Sequence, residues 1–130
     1  MTNLANLMPF SKLMGVEVSE ASPERIVATI VVREDLCTGG SIMHGGAIMA
    51  FADALGAIGA FLSLPPGATS TTTIESKTNF IGSAKVGVTV RGECTPVHRG
   101  KRTSVWQTKI DTAEGKPVAL VLQTQMVLGG

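Results

Sequence analysis

One stretch constrains the fold more than any other: HGGAIMAFADALGAIGAF, His44 to Phe61. It is almost wholly apolar, opens on a histidine and two glycines, and holds one carboxylate, Asp53. Ile48, Phe51, Leu55, Ile58 and Leu62 fall on one stripe of a helix at 100° per residue, which predicts the face packed against a sheet. On another face lie Gly46, Ala50, Asp53, Ala57 and Ala60, small side chains around the carboxylate. About 20 mostly apolar residues is also spanning length for a bilayer. Asp53 at the bilayer centre would cost roughly 2.5 to 3.5 kcal/mol, and most remaining side chains are Ala and Gly, so a buried core helix explains the composition better.

The other segments must supply the layer that covers this helix. The chain has 130 residues, the size of one domain, and the expectation is a single domain over 1–130 with a helical segment at 1–14. Apolar residues at Leu4, Leu7 and Met8 and, past Pro9, at Leu13 and Met14 predict a short helix broken by proline. GVEVSE and RIVATIVV, separated by ASPE, read as a hairpin with Ile26, Ala28, Ile30 and Val32 on one side. After LPPGA ends the helix, four strand-like runs follow: STTTIESKTNFI, KVGVTVRGECTPV, RTSVWQTKID and PVALVLQTQMVL. In the second of these Val86, Val88 and Val90 alternate with Gly87, Thr89 and Arg91. Short, turn-rich links favour antiparallel neighbours. The fold class expected is α+β, one long helix laid across a curved sheet of about six strands.

Composition excludes several partners. Eleven basic residues against ten acidic give a net charge of +1, no footprint for nucleic acid. The local cluster HRGKR, His98 to Arg102, reads either as a site for the few phosphates of a small ligand or as a solvated hairpin tip. Cys37 and Cys94 have no CxxC spacing, and neither histidine has neighbouring ligands in sequence, so no metal is expected. A reducing, cytoplasmic compartment fits this usage, and the N-terminus lacks the pattern of a secretory signal.

Two readings of Asp53 stay open on the residues alone. It is either a structural carboxylate, hydrogen-bonded or facing water, or a general base or nucleophile. A helix beginning at Gly45 presents unpaired amides and the positive end of its dipole, which can stabilise an oxyanion. Asp53 lies roughly 13 Å along the axis from His44 at the helical rise, too far for both features to act on one carbonyl within one chain. Cooperation between them requires two chains with antiparallel helices, a homodimer. No GxSxG elbow is present, and His44 either fixes the loop through a ring hydrogen bond or acts as a base.

With HGG followed by an acidic residue nine positions after the histidine, in a helix preceding four strands, the chain resembles the hotdog-fold acyl-CoA thioesterases, in particular the PaaI-like branch. The resemblance covers almost the whole chain. It implies hydrolysis of an aromatic or short- to medium-chain acyl-CoA to free acid and CoA, with no cofactor. It places the base or nucleophile on Asp53 and the oxyanion amide on Gly45 of the opposite subunit, and implies a homodimer that assembles into a homotetramer. It assigns a hydroxyl near the carboxylate to Thr73, with Thr72 as the alternative register, and adds His44 to the catalytic group.

The family usually carries Asn or Gln six residues before the histidine and Gly three before it; this chain has Thr38 and Ser41 there, beside Gly39 and Gly40. Thr38 would then orient the thioester or water with a shorter reach, and Gly46 and Ser41 would adjoin the substrate. The resemblance assigns Arg99, Lys101 and Arg102 to the nucleotide end of CoA, and Lys77 and Asn79 to the pantetheine channel. Met8, Phe10, Met14, Met49 and Phe61 are candidates for an apolar acyl pocket, each with a plain core role as the alternative. A non-catalytic acyl-CoA sensor is the second functional reading. A hotdog hydratase or dehydratase is disfavoured, because glycines rather than a proline-rich loop follow His44.

Overall fold

The computed structural model describes residues 3–129. The apolar run forms the helix α2 (Gly45–Leu62), and six antiparallel strands curve beneath it: β1 (Glu17–Ser22), β2 (Arg25–Val31), β3 (Ser70–Phe80), β4 (Thr89–Arg99), β5 (Thr103–Thr112) and β6 (Pro117–Leu128). The strands lie in the order β1-β2-β4-β5-β6-β3, so β3 crosses to the far edge after the helix. The spanning-length helix is therefore the core helix.

Alternation sets which side chains meet it. Val90, Cys94, Trp106, Ile110 and Val121 point inward and are buried with Ile48, Phe51 and Leu55 of α2. Fully burying Phe51 or Leu55 stabilises by about 1.5–3 kcal/mol each. Two glycines let the helix seat this low. A Cβ at Gly59 would stand 2.7 Å from the Trp106 ring, and one on the strand at Gly92 would stand 2.8 Å from Leu55 and 2.9 Å from Phe51.

The N-terminal helical segment is interrupted at Pro9, as expected: a 3-10 turn at Leu4–Leu7 ends at the extended Met8, and Pro9 then opens α1 (Pro9–Met14), since its missing N–H costs nothing at the first helical position. Several other local expectations need adjusting. Lys85–Val88 precede β4 as a turn, with Gly87 at φ +90°, and Val86 is exposed. Leu62, the last residue of α2, is exposed. Ala60 is buried although it lies on the stripe of Asp53, while Ala57 on that stripe is half-buried beside a cleft.

Polar groups also enter the core. Gln123 is 1% exposed, and neither its Nε2 nor its Oε1 has a hydrogen-bond partner among the described residues. An orphaned buried amide costs about 1–3 kcal/mol, so Gln123→Met, of similar length, is expected to raise the thermal midpoint in calorimetry. The two cysteines differ in burial. Burial pushes the Cys94 thiol up to about 11, a nearby Thr108 hydroxyl offsetting part of that rise. Cys37 is half-buried, its thiol donating to the Arg33 carbonyl at 3.3 Å. Reaction of the native protein with iodoacetamide at pH 8 is expected to label Cys37 and spare Cys94 in peptide mass analysis. The unfolded chain ionises Cys94 at a lower pH than the folded one, so this group removes stability as pH rises from about 9 toward 11.

Candidate active site

The segment entering α2 is a narrow turn. Cys37 bridges to Met43 and Ile42 to Lys85, while Thr38 N–H donates to the Ile42 carbonyl at 2.8 Å. The Thr38 hydroxyl accepts from Gly40 N–H at 3.2 Å, and Ser41 sits at φ +61°. That left-handed backbone at Ser41 explains a preference for glycine at this position. The turn ends at His44, whose N–H donates to the Leu36 carbonyl at 2.8 Å.

His44 caps the helix. Its Nδ1 accepts from Gly46 N–H at 2.8 Å, which leaves the ring proton on Nε2 of the neutral imidazole. A Cβ at Gly46 would stand 3.0 Å from that Nδ1, so a side chain there would crowd the cap. The His44 carbonyl accepts from Ala47 and Ile48 N–H at 2.9 and 3.0 Å. Gly45 N–H, the first amide of the helix, has no acceptor within it. The Phe80 ring lies beside Gly45, 3.2 Å from where a Cβ would sit.

Two turns along, Asp53 is exposed on the helix face nearest β3. The Thr73 hydroxyl donates to Asp53 Oδ1 at 3.0 Å. Behind it, Gln125 Nε2 donates to Thr73 Oγ1 at 2.6 Å, and the Thr71 hydroxyl donates to Gln125 Oε1 at 2.9 Å. A bulge makes this possible. The β3–β6 register shifts between Thr73 and Glu75, leaving Ile74 as the extra residue. Thr71 and Thr73 face inward before it, Ser76 and Thr78 after it, so Glu75 is turned away from Asp53. Thr72, the other register, is exposed on the opposite side of the strand.

A cleft of about 360 Å³ adjoins the carboxylate, lined by Met8, Phe10, Ser11, Met49, Asp53 and Ser76 among others. Beyond Met8 lies an apolar cleft of about 320 Å³ walled by Leu4, Leu7, Ile58 and Phe61. Met14 lines a third, with His44 and Gly46. The structure thus brings Asp53, Thr73, Met8, Phe10 and Met49 together, and groups His44, Gly45 and Gly46 at the helix start. Lys77 and Asn79 are exposed on β3 and alternate away from the helix-facing side. Arg99 donates to the Pro23 carbonyl at 2.9 Å and lies 3.6 Å from Glu24, which ties it to the β1–β2 turn. Lys101 and Arg102 are exposed at the β4–β5 tip. Among the described residues no three metal-ligating side chains come together.

Sequence reasoning missed Thr71, Ser76 and Gln125. The alternation of LQTQM within a strand, which puts two amides at core positions, was the available signal for Gln125.

A carboxylate held at one oxygen beside an apolar cleft, and a capped helix N-terminus with a spare amide, are parts suited to acyl transfer to water. Comparison with known proteins agrees. Residues 40–119 match the thioesterase superfamily. Over 75 residues the chain is 35% identical to 1,4-dihydroxy-2-naphthoyl-CoA hydrolase of Escherichia coli K12, an alignment spanning 58% of this chain and 54% of that one. AziG of S. sahachiroi superposes with a TM-score of 0.89 at 28% identity, over 95% of this chain and 99% of its own. A mutant of the phenylacetic acid degradation protein PaaI from Thermus thermophilus superposes at 0.84 with 25% identity, over 92% of this chain and 99% of its own. The fold and its helix define a hotdog protein. The chain belongs to the thioesterase superfamily, is PaaI-like within it, and is an enzyme of thioester hydrolysis.

Proposed function

We propose that the protein hydrolyses an acyl-CoA, aromatic or of short to medium chain, at a site completed by two subunits. The observation that carries this reading is the hydrogen bond from Thr73 to Asp53 Oδ1, which leaves the other carboxylate oxygen available beside the apolar cleft. Asp53 takes a proton from water as the water oxygen attacks the thioester carbon, or attacks that carbon itself to give an anhydride that water then opens. The partner's Gly45 donates its N–H to the developing oxyanion. Collapse breaks the carbon–sulfur bond and releases CoA thiolate, which takes up a proton.

Two features support the dimer. The strand β3 is an 11-residue edge, paired only with β6, that exposes Ile74 and Phe80. An edge of that length and character calls for a partner. Pairing two copies of β3 about a two-fold axis sets the α2 helices antiparallel and offsets the roughly 13 Å between carboxylate and amide within one chain. Leu122 and Met126, exposed on the outer face of β6, support association of two dimers into a tetramer. Lys101 and Arg102 supply charge for the CoA phosphates. Both thiols are free, as suits the cytoplasm.

The test is release of CoA-SH from a panel of aromatic and aliphatic acyl-CoAs. Turnover of at least one is expected. A folded protein that binds CoA esters and turns none over would instead be a sensor.

A further inference from the structure

We propose that Gln125, buried in β6 behind the helix, is a positioning residue that aims the Thr73 hydroxyl proton at Asp53. The inference rests on the hydrolytic reading of Asp53 and extends its site one strand deeper.

Counting protons fixes the direction of each bond. An ionised carboxylate only accepts, so the 3.0 Å bond to Asp53 Oδ1 uses the single proton of the Thr73 hydroxyl. Thr73 Oγ1 can then be approached at 2.6 Å by a donor alone, which makes the facing Gln125 atom the amide nitrogen. The amide oxygen must point the other way, and there the Thr71 hydroxyl donates to it at 2.9 Å. Every proton in the series runs toward the carboxylate: Thr71 to Gln125, Gln125 to Thr73, Thr73 to Asp53. Bonds aligned in this way polarise one another, the more so where water is excluded, and Gln125 is 1% exposed.

The sheet builds the series deliberately. Gln125 pairs directly with Thr73 across β3–β6 and with Ser104 across β5–β6, so its backbone is held from both sides. The Ile74 bulge then ends the run of inward threonines immediately past Thr73. Gln123, two residues earlier on the same strand, is as deeply buried and has neither polar atom partnered. A generic tolerance for amides in this core does not account for the complete series at Gln125. With Gln125 in place, Thr73 cannot turn its proton away, and Asp53 keeps one oxygen fixed and one for the reacting water.

The test combines kinetics with a spectrum that needs no substrate. Gln125→Met keeps the length and removes the donor. Its kcat is expected to fall about tenfold, the upper scale of one neutral hydrogen bond, with KM within about twofold. In a Thr73→Val background the same change is expected to cost almost nothing more, because the effect passes through Thr73. Should Gln125→Met fail to fold, Thr71→Val, which releases the amide to flip, replaces it in the same cycle. Independently, the Gln125 side-chain amide resonances in a 15N spectrum are expected to shift on Asp53→Asn while those of Gln123 stay put. A kcat unchanged in the folded variant, a loss additive with Thr73→Val, or an amide deaf to Asp53→Asn would overturn the proposal. Absence of any thioester turnover in the wild-type protein, with the amide responding to Asp53, would overturn the hydrolytic reading and leave the hydrogen-bond series standing.

Discussion

Asp53→Asn is expected to lower kcat for thioester hydrolysis by two or more orders of magnitude while leaving the fold intact. Asparagine matches the shape of aspartate, and its Oδ1 still accepts the Thr73 proton, so the hydrogen-bond series behind it survives. Asp53 is exposed and packs into no core, and such surface substitutions usually change stability by no more than about 0.5 kcal/mol. What disappears is basicity. A positioned general base contributes about 10²–10⁴-fold, and the same loss follows if the carboxylate is the nucleophile. Release of CoA-SH, measured beside a thermal melt, separates lost chemistry from lost structure; an Asp53→Asn protein with activity within threefold of wild type would remove Asp53 from the reaction.

The second large effect is expected from Gly45→Pro, which deletes one hydrogen. Proline suits the first position of a helix, and the residue before it must be extended; His44 already is, at φ −63° and ψ 138°. No intrahelical bond is lost, since the first amide has no partner there. The new ring meets the tip of the Phe80 side chain, which must give way by a few tenths of an ångström. Loss of one oxyanion donor costs about 10²–10³ in kcat. Gly45→Ala keeps the N–H while adding the same contact with Phe80, so it is expected to retain most of the activity. Equal losses in the two variants would assign the effect to crowding and remove the amide from the mechanism.

Much of this architecture was legible in the chain itself. The strand PVALVLQTQMVL begins and ends where its alternation does, at Pro117 and Leu128, and the two-faced helix needed only its 3.6-residue period. Legibility failed where one residue changes the parity of a strand or the neighbourhood of a face. Nothing in TTTIESK announces that Ile74 is extra, yet that bulge decides that Ser76 and not Glu75 turns inward. Ala60 belongs by angle to the stripe of Asp53, yet it is part of the core cluster. Pro9 read as a breaker and is one, but it also opens the helix that follows, because the first helical position needs no N–H. For Gln125 the alternation marks a core amide but not its role: an amide in a strand becomes part of a site only through its cross-strand neighbours, and those are set by register.

Subunit mixing tests the central claim, a site shared between Asp53 of one chain and Gly45 of the other, most directly. Asp53→Asn and Gly45→Pro proteins, each nearly inactive, are unfolded together and refolded as an equal mixture. Half the dimers that form are hybrids, and each hybrid holds one site with both native groups and one with neither. Recovery of about a quarter of wild-type activity is expected, from half the dimers with one of two sites working. A mixture no more active than its two components would mean that carboxylate and amide belong to one chain, and would contradict the shared site.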